Sequence, residues 1–154
     1  MRVDDGIKPV LLWPPVRLDS VDTPELHCSR NTISAASGGS ATLRVQRPSA
    51  DVARAYTVLG SVAGTQPGTV VGGILVPLNQ DRLLGLTLAG GLSPRVFEGF
   101  DGSLDGAGRS LSRFNMDPSW AWVFVGQSFD FCVLLADQGA GAEVLGPVGF
   151  LVGP

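Results

Sequence analysis

FDFCVLL, residues 129–135, is the strongest strand signal in this chain: aromatic, branched and apolar residues interrupted only by Asp130. That composition suits a pleated sheet surface. Upstream, Ala41-Thr-Leu-Arg-Val-Gln46 alternates, with Leu43 and Val45 on one face and Thr42, Arg44 and Gln46 on the other. This is the period-2 pattern of a half-buried strand. Ala55–Gly60, Gly73–Leu78 and Arg82–Leu88 read as further strands, Val96-Phe97 as a short one, and Arg109–Met116 as a long one before a turn at Asp117-Pro118. Trp120-Ala-Trp-Val-Phe-Val125 reads as another, with Trp120, Trp122 and Phe124 on one face, and Pro147–Val152 closes the series. No apolar pattern of period 3.6 runs ten residues without glycine or proline. Eight or nine short strands with close turns predict an all-β fold, a two-sheet antiparallel sandwich of Ig-like or jelly-roll-like form, or less simply a barrel.

The bulk numbers agree. A chain of 154 residues fits one domain able to bury a core without metal or dense disulfides. Hydrophobic residues make up 44% and charged residues 16%, against about 25% charged in typical soluble domains, so the chain is not disordered in composition. Its 21 glycines and 11 prolines suit many turns. The net charge is −3 and no two Lys or Arg are adjacent. That excludes the clustered cations of a nucleic-acid surface. No apolar run nears the roughly eighteen residues of a membrane-spanning helix, so no membrane insertion is expected. Residues 1–20 do not read as a signal peptide: Asp4 and Asp5 occupy the place of a positive region, and Val10–Trp13 is short and stopped by Pro14-Pro15. A lost export signal, a cytoplasmic location and another export route all stay open on that ground.

Residues 1–24 differ from the rest. Pro9, Pro14, Pro15 and Pro24 punctuate them and the apolar residues cluster at Ile7 and Val10–Trp13, which predicts an extended arm ahead of a domain at 25–154. The arm could lie on its own domain, pair at a sheet edge or reach another subunit. Leu11, Leu12 and Trp13 are its candidate anchors. Trp120 and Trp122, on a shared strand face, are core if that face points inward; pointing outward they would make a platform for protein or for sugar rings.

Candidate chemistry is sparse. In DGSLDGAGRS, residues 101–110, Asp101, Ser103, Asp105 and Gly106 fall at positions 1, 3, 5 and 6 of a calcium loop, but position 12 is Ser112 rather than glutamate. A phosphate loop would need lysine before a helix, and Arg109-Ser110 leads into a strand. The stretch is therefore expected to be a turn, shaped by Asp105-Gly106 and Gly108. His27 is the single histidine, no G-x-S-x-G elbow occurs, and Glu25, Glu98 and Glu143 form no favoured carboxylate pair. No catalytic residue, cofactor or metal is expected, and one histidine with no C-x-x-C is too little for zinc. Cys28 and Cys132 either form a bridge closing a loop of about 100 residues, worth ~4 kcal/mol, or are two buried thiols. The low-charge, Gly- and Ser-rich composition leans toward the bridge and an extracellular setting.

Three segments carry a resemblance. Tyr56-Thr-Val-Leu-Gly-Ser-Val-Ala-Gly-Thr-Gln-Pro-Gly68, Val76-Pro-Leu-Asn-Gln-Asp81 and Leu104-Asp-Gly-Ala-Gly-Arg109 resemble, in order and spacing, an uncharacterised β-sandwich module of large secreted bacterial proteins. The likeness covers about residues 32–153 and leaves out the arm. It implies an extracellular or cell-surface, non-catalytic accessory module and assigns no residue a role. The expectation is thus a structural or adhesive module that binds other subunits or neighbouring domains, including copies of itself, through the arm. A carbohydrate-binding module stacking sugars on Trp120, Trp122 or Tyr56 is the rival, and a hydrolase fragment ranks behind both.

Overall fold

In a computed structural model, which describes residues 25–48, 51–136, 139 and 141–154, the chain is mostly β. The strands are β1 (Leu26–Cys28), β2 (Thr32–Ser34), β3 (Gly39–Gln46), β4 (Ala55–Ser61), β5 (Thr69–Val71), β6 (Ile74–Val76), β7 (Phe97–Glu98), β8 (Asp101–Ser103), β9 (Arg109–Met116), β10 (Ser128–Leu135) and β11 (Glu143–Gly153). Helix α1 (Arg82–Ala89) follows β6, and α2 (Pro118–Ala121) runs into a 3-10 turn, Trp122–Phe124, after β9. A four-stranded sheet has the order β1-β3-β9-β7, a five-stranded sheet β2-β11-β10-β4-β8, and β5-β6 form a separate hairpin. The arm, with Leu11, Leu12 and Trp13, lies outside the described residues.

Strand β10 explains the layering. Period-2 alternation sends Phe129, Phe131, Val133 and Leu135 to one face, where they join Leu43, Val45 and Phe114 of the four-stranded sheet in a single buried cluster. Eight aromatic rings, seven Phe and Trp120, meet there in edge, tilted and stacked contacts, among them Phe114–Phe129 at 5.2 Å and Phe100–Phe131 at 5.9 Å between centroids. The opposite face of β10 carries Cys132, which packs with Leu59, Val76, Leu78 and Leu84 in a second cluster beneath α1 and the hairpin. The five-stranded sheet is thus covered on both faces. It is also mixed rather than purely antiparallel, because β2 pairs with β11 in parallel, Thr32 opposite Leu151.

Two expected strands are helical. Arg82–Leu88 alternates Leu84, Leu86 and Leu88 with Gly85 and Thr87, which mimics period 2. Asp81 nevertheless caps it as a helix, its Oδ1 accepting the Leu84 amide at 2.8 Å. Leu84 and Thr87, three apart, then face the sheet together. Gly60 makes that seat: a Cβ there would come within 3.0 Å of the Phe131 ring and 3.3 Å of Leu83. Trp120–Phe124 is the other. Asp117 at the N-cap accepts the Ser119 amide at 2.8 Å and Pro118 stands at the first helical position, where its fixed φ and missing N–H cost nothing.

The Cys28–Cys132 bridge is not formed; both are free thiols. Cys28 packs against the inner cluster, whereas Cys132 belongs to the cluster on the far side of the sheet. A strand residue that alternates to the wrong face cannot be brought round to a partner without disrupting the ladder.

Candidate functional site

Two of the segments singled out in the sequence, 56–68 and 76–81, meet in space, and their polar side chains hold backbone. Asn79 Nδ2 donates to the carbonyls of Ala63 and Gln66 at 2.8 and 2.7 Å, while its Oδ1 accepts the Gly68 amide at 3.0 Å. Asp81 Oδ2 accepts from Ser61 Oγ and from the amides of Val62 and Ala63, at 3.0, 2.6 and 3.0 Å. The loop after β4 is therefore stapled to the entry of α1. Tyr56 is buried, with its ring against Gly102 and its hydroxyl donating to the Gly99 carbonyl at 2.9 Å.

In residues 101–110 Asp105 Oδ1 accepts the amides of Arg109 and Ala107 at 2.9 and 2.8 Å. Those two donors hold its carboxyl below the usual carboxylate range. Gly108, at φ +74°, brings its backbone so close to the Arg47 carbonyl that a Cβ would stand 2.5 Å away. Asp101 starts the edge strand β8, opposite Thr57. Residues 104–108, between β8 and β9, are thus a turn closed by backbone bonds and by the Asp105 side chain. Among the described residues no three His, Cys, Asp or Glu side chains gather to hold a metal ion.

The two tryptophans expected on one face are separated by the helical turn. Trp120 is half-buried, edge-on to Phe114 at 6.5 Å and to Phe124 at 5.9 Å. Trp122 points away and is 68% exposed, its indole N–H donating to the Ser119 carbonyl at 3.2 Å. Tyr56 thus offers no open stacking face, Trp120 shows part of its ring to a cavity, and Trp122 is the exposed indole among the three aromatics considered for sugars. His27 lies on the edge strand β1, opposite Arg44.

A concave feature that the sequence did not suggest sits where α1, β7, β9 and the 3-10 turn converge. It is a cavity of about 350 Å3, floored by the buried rings of Phe114 and Phe129 and walled by Phe97, Trp120 and Phe124 from one side and Leu83 and Leu86 from the other. Arg82 is the one charged residue along it, and among the described residues no carboxylate pairs with Arg82. The helical spacing explains the walls: Leu83 and Leu86 share a face of α1, as do Trp120 and Phe124 across the second helical turn. Reading both segments as strands hid the site, because it exists only when they are helices. Beyond Trp120 and Val96 a second cavity, of about 460 Å3, has a polar wall including Arg95, Asn115 and Ser119. There Asn115 Oδ1 accepts from Ser40 Oγ at 2.6 Å and its Nδ2 donates to the Arg95 carbonyl at 3.1 Å.

No protein-family model, curated protein or solved structure matches this chain.

Proposed function

We propose that this chain is a non-catalytic β-sandwich module of a secreted or cell-surface protein, working by protein–protein assembly with residues 1–24 as the docking element. The sandwich reading draws support from the shared aromatic cluster of the two sheets, whose inner faces interdigitate as sandwich layers do. The observation that carries the assembly reading is the open apolar cavity beside the 3-10 turn, lined by aromatic rings. Nearby in sequence, Trp122, Val123 and Val125 are 68%, 58% and 48% exposed. Apolar surface left uncovered in this way marks contact sites, whereas the polar side chains of the motif segments are spent on backbone. The resemblance to secreted accessory modules agrees.

Removal of residues 1–20 tests the reading. The truncated chain is expected to keep its β circular-dichroism signal and to drop to the mass of one chain in light scattering. A particle mass that does not change on truncation overturns the proposal. The exposed Trp122 keeps glycan stacking as a rival, which predicts quenching of tryptophan emission by members of a glycan panel; an assembly module stays silent there.

A further inference from the structure

We propose that the aromatic cavity receives Trp13, with Leu11 beside it on the same face of an extended chain, from the arm of a second copy of this chain. This rests on the assembly reading and adds to it where the arm lands. The cavity, about 350 Å3, lies at the lower end of the ~300–1,000 Å3 range of small binding sites. That is room for an aromatic side chain with an aliphatic neighbour. Its walls present Phe97, Trp120 and Phe124, rings that already meet one another's partners edge-on. An inserted indole finds both faces and edges to pack against. Val10–Trp13 is the one apolar run of the arm without an intervening polar residue or proline, and it matches the cavity in chemistry.

Chain length permits the contact. Residues 14–25 separate Trp13 from β1, so thirteen Cα steps of at most ~3.6 Å span up to about 45 Å. Strand β1 is one edge of the four-stranded sheet and β7, which supplies Phe97, is the other; with Leu26 level with Ser110 and Phe97 level with Phe114, three strand spacings of ~4.8 Å and four residues of ~3.3 Å put them about 20 Å apart. The arm therefore has about 25 Å to spare, enough to cross to a second copy. Pro14 and Pro15 directly after Trp13, with Pro24 before β1, are the composition from which the sequence leads us to expect an extended arm, the form suited to reaching a neighbouring copy. Exchange of arms between two copies fills both cavities by the same contact, as a two-fold interface requires.

Two full-length variants decide the point. Trp13→Asp spoils the arm and Leu86→Glu places a charge on the cavity rim, at a residue 48% exposed whose replacement leaves the core intact. An unchanged thermal midpoint with Leu86→Glu, and Leu86→Met behaving as wild type, confirm that only the rim is altered. Each variant alone is expected to need at least a tenfold higher concentration to assemble. An equimolar mixture is expected to recover a two-chain particle, because the intact arm of one variant meets the intact cavity of the other. If Trp13→Asp disrupts assembly while Leu86→Glu does not, the arm docks elsewhere: this inference fails and the assembly reading stands. A mixture that behaves as the average of its parts also overturns it, since an arm held in its own cavity cannot be complemented. Should neither variant nor the truncation change particle mass, the assembly reading itself fails.

Discussion

At the scale of single residues, Asp81 accepts four hydrogen bonds and joins two parts of this fold. One oxygen caps α1 and the other gathers three donors from the loop after β4. Replacing it with alanine removes an N-cap worth ~1 kcal/mol and strands further donors at ~1 kcal/mol each. We expect Asp81→Ala to cost about 2–4 kcal/mol in urea denaturation, with Asp81→Asn intermediate because one acceptor oxygen survives. A cost within experimental error for Asp81→Ala would mean the loop holds without it. Cys132 offers a pH signature. Burial, and then the Asp130 charge, push its thiol up to about 12 from an ordinary 9.0. The folded state therefore keeps a proton that the unfolded chain releases above pH 9. Stability from this group is complete below pH 9 and is lost as pH rises toward 12, by as much as ~1.4 kcal/mol per pH unit. Between pH 9 and 10.5, Cys132→Val is expected to lose stability less steeply than the wild type; parallel slopes would refute the assignment.

At the scale of elements, the two helical segments set what is exposed. Asp117 and Pro118 open the turn that puts Trp120 inward and Trp122 outward. Iodide is therefore expected to quench chiefly Trp122 among the two, and Trp122→Phe is expected to remove most of that quenching while barely altering stability. Trp120→Phe instead disturbs the contacts with Phe114 and Phe124 and should lower the thermal midpoint. The reverse pattern would place the tryptophans on the wrong sides. In α1, Leu84 and Thr87 face the sheet while Leu83 and Leu86 face the cavity, so a single helix both seals the second cluster and shapes the candidate site.

At the scale of the whole molecule, two arginines clasp distant loops. Arg54, only 3% exposed, donates to the carbonyls of Ala136 and Gly141 at 2.7 and 2.6 Å and reaches Asp51 and Glu143. Arg47 joins Glu25, Asp51 and Glu143. The start of β1, the turn before β4 and the connection between β10 and β11 are thereby held together. Breaking a buried ionic cluster from one side costs ~3–5 kcal/mol. Glu143 keeps 39% side-chain exposure and can turn to water, so Arg54→Met is expected near the lower bound, about 3 kcal/mol. Arg54→Lys recovers little of it, because lysine lacks the fork that reaches two carbonyls and two carboxylates at once. An Arg54→Met protein as stable as the wild type would show the clasp to be ornamental.

Much of this fold was legible in the chain, because strand character is local. Ala41–Gln46 shows its faces by alternation alone, and Leu43 and Val45, expected on one face, are buried; FDFCVLL and Arg109–Met116 show strand character by composition but not their faces, since Leu111 is exposed and Ser112 buried. The turn at Asp105–Gly108 was equally readable, since a short acidic side chain and a glycine dictate a few ångströms of backbone. Other features depended on partners far away in sequence. Leu84-Gly-Leu-Thr-Leu88 alternates like a strand, yet an Asp81 cap and a groove over Gly60 make it a helix. Which face each cysteine met, and hence whether they could bond, depended on strand order. The aromatic cavity required two helical turns and two sheet strands at once. Local preference is a property of neighbouring residues and can be read from them; a cavity is the space between elements, and only their packing creates it.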